Sequence, residues 1–281
     1  MTHPLHVWVI STIVGMQLRS HALQALCLAD PRDKVDAVQT LWQKSPSWAL
    51  DPTQHIALPT GDVLPGRPAA PRLVPPKQVV TRSTLTPQGL AGLIHAVCHI
   101  EFNAINLALD AVWRFDNMPE NFYTDWMQVA FEESQHFELL HTLLQSLGYH
   151  YGDFDAHDGL WQMCEKTAAD VLARMALVPR TLEARGLDAT PLIQSKLRKA
   201  NSLGALRAVE VLDVILRDEV GHVAIGNHWY RWLCAQRGLD PVTLYGELVL
   251  RYEAPRLKPP FNTEARKRAG FTDTELNDLL G

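Results

Sequence analysis

Two short stretches, Glu133-Ser-Gln-His136 and Glu219-Val-Gly-His222, decide the fold of this 281-residue chain. Each stretch places a carboxylate three residues before an imidazole, so both side chains lie on one face of a helix. The chain contains 12 histidines. One such pair is therefore expected by chance, and the inference depends on where the two pairs lie and on what accompanies them.

Both pairs lie in apolar stripes. At helical spacing, Glu133 shares its face with Trp126 and Leu140, and Glu219 shares its face with Leu212. A carboxylate in such a stripe is costly to bury unless something compensates its charge, and a metal ion is a strong compensator. A buried Glu–His hydrogen bond or a Glu–Arg ion pair explains one pair equally well. It explains two pairs much less well.

A third carboxylate follows from helical geometry. The pattern from His95 to Trp113 predicts a long helix that contains Glu101 and ends near residues 114–117, before the Met118-Pro119 turn. The two arms of the resulting hairpin, from Glu101 to the turn and from the turn to Glu133, are about 16 and about 15 residues long. Because arms of equal length end at the same height, we expect these two carboxylates to face each other.

The second half of the chain repeats this arrangement. Glu183 lies about 18 residues before the Asn201-Ser202 break, and Glu219 lies about 17 residues after it. We expect residues 186–191, with a glycine and a proline, to interrupt or kink the first arm. Glu165 is an alternative to Glu183, but its arm of about 36 residues is too long to bring it level with Glu219.

The order Glu, Glu-x-x-His, Glu, Glu-x-x-His is the ligand set of a di-iron or di-manganese carboxylate centre in a ferritin-like bundle. The predicted fold is therefore all-α, a ferritin-like four-helix bundle. Carboxylate and imidazole donors suit iron or manganese, so the predicted cofactor is two iron ions, or iron plus manganese. The predicted ligands are Glu101, Glu133, His136, Glu183, Glu219 and His222.

Two further residues are predicted to support the ligands. Asp218 adjoins a predicted ligand, and we expect it to orient His136 or His222 through the second ring nitrogen. His95 and His99 are four residues apart and could bind a metal together. They point roughly 160–240° away from Glu101 around the helix, so we assign His99 a supporting or structural role instead.

The rest of the chain divides into extensions. Residues 17–44 are predicted to form one or two helices with a boundary at Asp30-Pro31, and nine of the 18 prolines lie between Pro46 and Pro87. That proline-rich strap either forms a lid or edge over the metal site or is a connector packed on the outside of the bundle. Residues 148–159 are predicted to form the crossover loop, with Asp158 as a helix N-cap. The predicted domains are 1–85 (helix and strap), 86–240 (bundle) and 241–281 (C-terminal tail).

Composition, at 47% hydrophobic and 20% charged, indicates a globular protein. Four scattered cysteines without a disulfide pattern favour a reducing cytoplasm. The apolar run 5–16 is too short for a membrane span and a weak match to a signal peptide, which leaves open whether Met1 is the true start. Residues 251–270 carry six basic and two acidic residues, which would suit an RNA, but the net charge of −5 favours a solvated tail.

Several segments resemble a bacterial family of ferritin-like proteins that carries a domain-of-unknown-function label. The residues that carry the resemblance are 99–107, 151–161, Leu182-Glu-Ala-Arg-Gly-Leu-Asp188 and Arg217-Asp-Glu-Val-Gly-His222 with its continuation to Trp229. A more distant resemblance is to the tRNA methylthio-isopentenyl-adenosine hydroxylases, di-iron monooxygenases that also have Glu-Ala-Arg on the third bundle helix. The family resemblance supports the predicted fold and the six predicted ligands, but it does not indicate a particular reaction.

The predicted function is that of an O2-dependent hydroxylase or oxidase acting on an unidentified substrate, a small molecule or a tRNA. The chain has no Rossmann fingerprint and no cysteine pattern for an iron–sulfur cluster, so an external reductase is the expected electron donor. The alternative is a ferritin-like protein that oxidises or handles iron without an organic substrate, against which the long front segment argues. A helical scaffold with degenerate ligands is disfavoured because all six donors are present.

Overall fold

The computed structural model describes residues 16–280, and it is built mainly of helices. The all-α prediction is confirmed for this part of the chain, where the strands are limited to Met16–Gln17 (β1) and Trp48–Ala49 (β2), paired in parallel. The helices are α1 (Leu18–Cys27), α2 (Pro31–Gln43), α3 (Pro87–Arg114), α4 (Glu120–Ser146), α5 (Gly159–Lys166), α6 (Val171–Leu177), α7 (Ala184–Ala200), α8 (Leu203–Gln236), α9 (Pro241–Arg251), α10 (Thr263–Arg268) and α11 (Asp273–Leu280).

The long helices form two hairpins. Helix α3 packs along α4, α7 packs along α8, and the hairpins meet where α4 packs against α8. Both hairpin turns lie where the sequence predicts them, because α3 ends at Arg114 and α7 ends at Ala200, followed by the left-handed C-cap residue Asn201 with φ 50°. Side-chain caps start the helices at Thr86 and Ser202, which accept hydrogen bonds from backbone amides of the first turn.

The third long helix is interrupted at a different place from the predicted one. Residues Val178–Glu183 form a π-helical segment between α6 and α7, and α7 then continues without a break through Pro191. Pro179 has no amide hydrogen to donate, and a π-turn accommodates the loss by widening the helix by one residue. The predicted interruption at residues 186–191 is therefore wrong, whereas the alternative of a kink there stays a prediction, and the irregular turn lies directly before α7.

The N-terminal region follows its prediction. Helices α1 and α2 are separate, and Asp30 caps the second one by accepting from the Arg32 and Asp33 amides. The proline-rich strap contains two short 3-10 helices, Ser45–Ser47 and Pro76–Gln78, and the β2 pairing, but is otherwise irregular. The apolar run 5–16 lies almost entirely outside the described residues.

Two buried basic side chains connect the N-terminal helices to α3. Arg19 donates to the carbonyl oxygens of Val112 and Trp113, at 3.4 and 2.9 Å. Lys34, also fully buried, donates to Asn106 on α3 and to the Gly66 carbonyl of the strap. These contacts hold the strap and α1–α2 against the first hairpin.

Of the six basic residues in 251–270 of the C-terminal tail, five are exposed and Arg266 is buried. Arg266 is completely buried and pairs with Asp188 at 2.6 Å, and Lys267 pairs with Asp273 at 2.6 Å. Two of the three consecutive basic residues are thus engaged with acidic partners of the same chain.

One helix of the described region, α3, is long and apolar enough to cross a membrane. In an apolar 18-residue window of this helix, 78% of the residues are buried inside the protein. The core helix of a packed bundle has the same high fraction of buried residues. Length and composition alone are therefore weak evidence for a membrane span here.

Candidate metal centre

Six side chains from the two Glu-x-x-His pairs and their neighbours are buried where the hairpins meet. Glu101, Glu133 and His136 each have a ligand atom within 4.8 Å of the others, and Glu133, Glu219 and His222 form a second such group. All members are buried. Glu133 belongs to both groups, so one carboxylate of α4 lies between an α3–α4 cluster and an α8 cluster.

The two oxygens of Glu133 face different imidazoles. His136 Nδ1 lies 3.2 Å from Glu133 Oε2 and 3.4 Å from Glu101 Oε2. His222 Nδ1 lies 2.9 Å from Glu133 Oε1 and 3.9 Å from Glu219 Oε1. Both histidines therefore turn their Nδ1 atoms toward the shared carboxylate, which leaves their Nε2 atoms facing away from it.

A carboxylate from the opposite helix approaches each outward Nε2 atom. Asp218 of α8 lies 3.2 Å from His136 of α4, and Glu132 of α4 lies 2.7 Å from His222 of α8. The expected contact of Asp218 with a histidine is present, whereas Glu132 was not predicted. A signal for it exists in the sequence, because an acidic residue immediately precedes each Glu-x-x-His pair.

Glu183 is buried beside these groups but is not a member of either one. It ends the π-helical segment, is 7% exposed, and neither of its carboxylate oxygens has a hydrogen-bond partner. Its pKa is raised well above the usual value, first by burial and then by the charge of Glu219. The alternative, Glu165, is exposed on α5 and accepts a hydrogen bond from the Trp161 indole at 3.0 Å.

A glycine allows the segment that carries Glu183 to approach α8. A Cβ atom built at Gly226 would lie 2.5 Å from the Cβ of Pro179, closer than real contacts permit. Any side chain at this position of α8 would therefore displace the π-helical segment, so the absence of a side chain at Gly226 is a condition for the observed approach.

His99 makes structural contacts, one of the two roles predicted for it, whereas Asp158 has a role other than the predicted one. The His99 ring lies 2.8 Å from the Tyr151 hydroxyl and 3.0 Å from the Asn103 amide nitrogen, and these are its side-chain partners rather than the predicted ligands. Asp158 precedes α5 but does not cap it with its side chain. The carboxylate instead pairs with Arg67 of the strap at 2.8 Å, because a guanidinium is the stronger partner.

The carboxylates of the centre differ in the direction in which the structure shifts their pKa values. Burial, followed by the charge of Glu133, raises the pKa of Glu101 and of Glu219. Burial also opposes ionisation of Glu133, but the positive charge of His222 and the bond to His136 lower its pKa. Burial disfavours a charged His136, yet its bonds to Glu101 and Glu133 raise its pKa to about 11. Glu133 is thus the most strongly ionised carboxylate of the centre.

The unpartnered atoms of the centre test whether a metal pair fits. His222 Nδ1 and Glu133 Oε1 are close, yet neither has a partner in hydrogen-bond geometry. Buried polar atoms without partners are rare because each costs about 1–3 kcal/mol, and cations would satisfy these. The donors are carboxylate and imidazole, which fits iron or manganese. The unpartnered atoms are Glu101 Oε2, Glu133 Oε1, both Glu183 oxygens, Glu219 Oε2 and His222 Nδ1.

The fold and the centre define a helical protein with buried glutamate and histidine groups that can hold metal. Residues 27–277 match the family described as "Protein of unknown function (DUF455)", and the chain belongs to that family. It is also 47% identical over 266 residues to an "Uncharacterized protein" of Haemophilus influenzae, covering 90% of each chain. No solved structure matches the chain.

Proposed function

We propose that this chain is a non-haem di-metal carboxylate protein of ferritin-like architecture that binds two iron ions, or iron plus manganese. The observation that carries the proposal is the position of Glu133, whose two oxygens face two different histidines in two overlapping buried groups. A single ion would need only one of these groups. The shared carboxylate is the feature that a metal pair requires.

The ligands divide between the two ions by their positions. Glu101 and His136 would hold one ion, and Glu219 and His222 would hold the other, with Glu133 available to both. We assign Glu183 to the second set, because it is buried and its π-helical segment packs against α8 at Gly226. Two glutamates, two Glu-x-x-His pairs and four helical segments match the ligand arrangement of ferritin-like di-metal proteins.

When bound, an iron pair supplies the capacity to reduce O2 and to oxidise a substrate. The chain's own carboxylates prepare the site for it. Asp218 and Glu132 face the Nε2 atoms of His136 and His222, so if a metal ion displaced the Nδ1 proton of either ring, the carboxylate could accept the remaining Nε2 proton and hold the ring toward the metal. Both carboxylates are part-exposed, so they also lie between the buried centre and solvent.

The activity that we propose is an O2-dependent oxidation or hydroxylation of an organic substrate in the cytoplasm, with electrons from a separate reductase. The strap packs against the first hairpin and the tail packs against α7 and α8, and an iron-storage protein does not need these additions. The substrate that we propose is a small molecule, and a tRNA is the alternative, because five of the six basic residues in 251–270 are exposed.

Oxygen reactivity tests this function. We expect protein reconstituted anaerobically with two Fe²⁺ per chain to show one optical transient on exposure to O2 and then to stop without added reductant. The Glu133→Ala variant should show no transient. Continuous oxidation of many iron equivalents per chain, with a mineral product, would instead identify an iron-handling protein and exclude the hydroxylase proposal.

A further inference from the structure

The residues just before Glu183 are held by the C-terminal tail. Arg180 lies in the π-helical segment, is 2% exposed, and donates from Nη2 to Glu275 of α11 at 2.8 Å. Its Nη1 donates to Asn227 of α8. The guanidinium also lies over the Phe271 ring, 4.6 Å from its centroid, and over two tyrosine rings. An exit of Arg180 from this position would therefore break an ion pair, a hydrogen bond and a stacked contact together.

The residues just after Glu183 are held by the same tail. Arg266 donates to both oxygens of Asp188, at 2.6 and 3.0 Å, and to the Ala184 carbonyl at 3.3 Å. The Asn262 side chain donates to the Leu187 carbonyl at 3.2 Å. The first turn of α7 thus has its own set of tail contacts, independent of those made by Arg180.

Glu183 itself has no hydrogen bond that fixes its side chain. Its position depends on the backbone of the π-helical segment and of the first turn of α7. Because the tail contacts the chain three residues before Glu183 and again from the next residue onward, the tail restrains that backbone on both sides.

Cavities border the junction between the tail and the bundle. One of about 230 Å³ is lined in part by Arg180, Phe271 and Glu275, and an open one of about 410 Å³ is lined in part by Asn227 and Arg231. A buried apolar cluster also joins the tail to α7 and α8, with Phe271 and Leu276 in the same cluster as Leu187 and Val223, and the ion pairs lie beside it. Glu275 accepts from Arg180 at 2.8 Å and from Arg231 at 2.6 Å.

We infer that residues 262–275 of the C-terminal tail position Glu183 as a ligand of the second metal ion. They do so through the Arg180–Glu275 and Asp188–Arg266 pairs. Arg180, Glu275, Asp188 and Arg266 are positioning residues that do not touch the metal. The first ion, at Glu101 and His136, is independent of the tail because its ligands lie on α3 and α4. This inference depends on the proposed di-metal centre.

The test uses Mn²⁺ as the probe, with stepwise affinities from calorimetry and the pairing of the ions from EPR. In Glu275→Gln the buried Arg180 loses its counter-charge, so the π-helical segment should shift. We expect the weaker Mn²⁺ affinity to fall about tenfold or more while the other stays within twofold. The EPR signal of a spin-coupled pair should give way to that of a single bound ion at the same Mn²⁺ concentration.

Controls separate positioning from general damage. Asp273→Asn breaks an exposed ion pair of the same tail and should leave both affinities unchanged. Glu275→Asp keeps the charge and should restore part of the coupled signal. Asp188→Asn, on the other side of Glu183, should reproduce the loss at one ion, and it decides the question if Glu275→Gln does not fold.

Two results would overturn the inference. The first result is that the two single variants, Glu275→Gln and Asp188→Asn, both keep Mn²⁺ affinities within twofold of wild type at both ions. Far-UV circular dichroism and Tm establish that each variant is folded. The second is an equal loss of both affinities. Failure of the proposed function is distinguishable, because then the wild-type protein itself would bind no Mn²⁺ pair.

Discussion

The two halves of the candidate centre are built differently. Glu101 lies within the uninterrupted 28-residue helix α3, and Glu133 lies within the uninterrupted 27-residue helix α4. Helical geometry alone therefore sets the height at which these two residues meet. The corresponding path to Glu183 consists of α6, a π-helical segment and α7. The first half thus places its ligands by local structure, and the second half depends on tertiary contacts.

Each half is also held by a different end of the chain. Arg19 and Lys34 attach the N-terminal helices to α3 mainly through neutral acceptors, carbonyl and amide oxygens. The tail is attached to the second half by an apolar cluster and, unlike the N-terminal helices, by buried ion pairs such as Arg180–Glu275. Removing one partner of a buried ion pair leaves an uncompensated charge, so the second half is the more sensitive to single substitutions.

The largest effect is expected from the residue that both halves share. Glu133→Ala should reduce the metal content of purified protein from about two ions per chain to nearly none, because both buried groups lose a donor and the shared charge disappears. Elemental analysis of protein purified from cells grown with iron and manganese measures the number of metal ions per chain. Glu138→Ala, an exposed position on the same helix, should retain the wild-type content. Equal metal contents in the two variants would contradict the shared-ligand assignment.

The second half should be affected alone by a change at its unpartnered carboxylate. Glu183→Gln should lower the content to about one ion per chain, since an amide cannot replace an anionic ligand. Glu165→Gln is the matched control, because the exposed side chain can still accept from Trp161 and no metal should be lost. The reverse pattern, measured on the same preparations, would show that the third helix presents the other glutamate.

A smaller and more symmetric effect is expected from the carboxylates behind the histidines. Asp218→Asn and Glu132→Gln weaken the acceptor for His136 and His222 respectively, and each should lower affinity at one ion about tenfold to a hundredfold. Competition with a chromophoric chelator measures this. If both variants weaken the same ion, the crosswise contacts between α4 and α8 do not operate as separate supports.

The smallest effect on the centre is expected from Lys34, which holds the first half. Burial lowers the pKa of its ammonium group from 10.5 to about 7. The unfolded chain therefore binds more protons between pH 7 and 10.5, and stability rises with pH in that window, by at most about 1.4 kcal/mol per pH unit.

The Lys34→Met variant lacks this contribution, so its stability relative to wild type should fall as the pH is raised from 7 to 9. Urea unfolding of both proteins at each pH measures the difference. Its metal content should stay at the wild-type value. A stability difference that is the same at both pH values would show that Lys34 does not change its protonation in the folded protein.

Much of the first half follows from the sequence. The end of α3, the hairpin turn and the burial of Glu101 and Glu133 were predicted because unbroken helices convert residue numbers directly into distances. The Asn201-Ser202 break was predicted for the same reason. The burial of Glu183 and the exposure of Glu165 agree with the arm-length argument, although α5 is a separate short helix rather than part of the arm.

The errors concern residues whose partners are distant in sequence. No periodicity indicates that Pro179 starts a π-turn, because the turn depends on space provided by Gly226. The assignment of Asp158 as a cap considered only its own helix, whereas Arg67, 91 positions away, offers a guanidinium. Glu132 was overlooked because its partner lies on α8, 90 positions away.

Gly226 has a consequence for how this family varies. Only hydrogen at this position lets Pro179, and with it the turn that ends in Glu183, come up to α8. Relatives that keep the carboxylate at position 183 are expected to keep glycine four residues after the second histidine. A relative with a larger residue there should have become free to lose that glutamate, so the pair of positions should change together. Under the proposed di-metal function, the residues at these two positions would indicate from sequence alone which relatives retain both metal sites and which retain one.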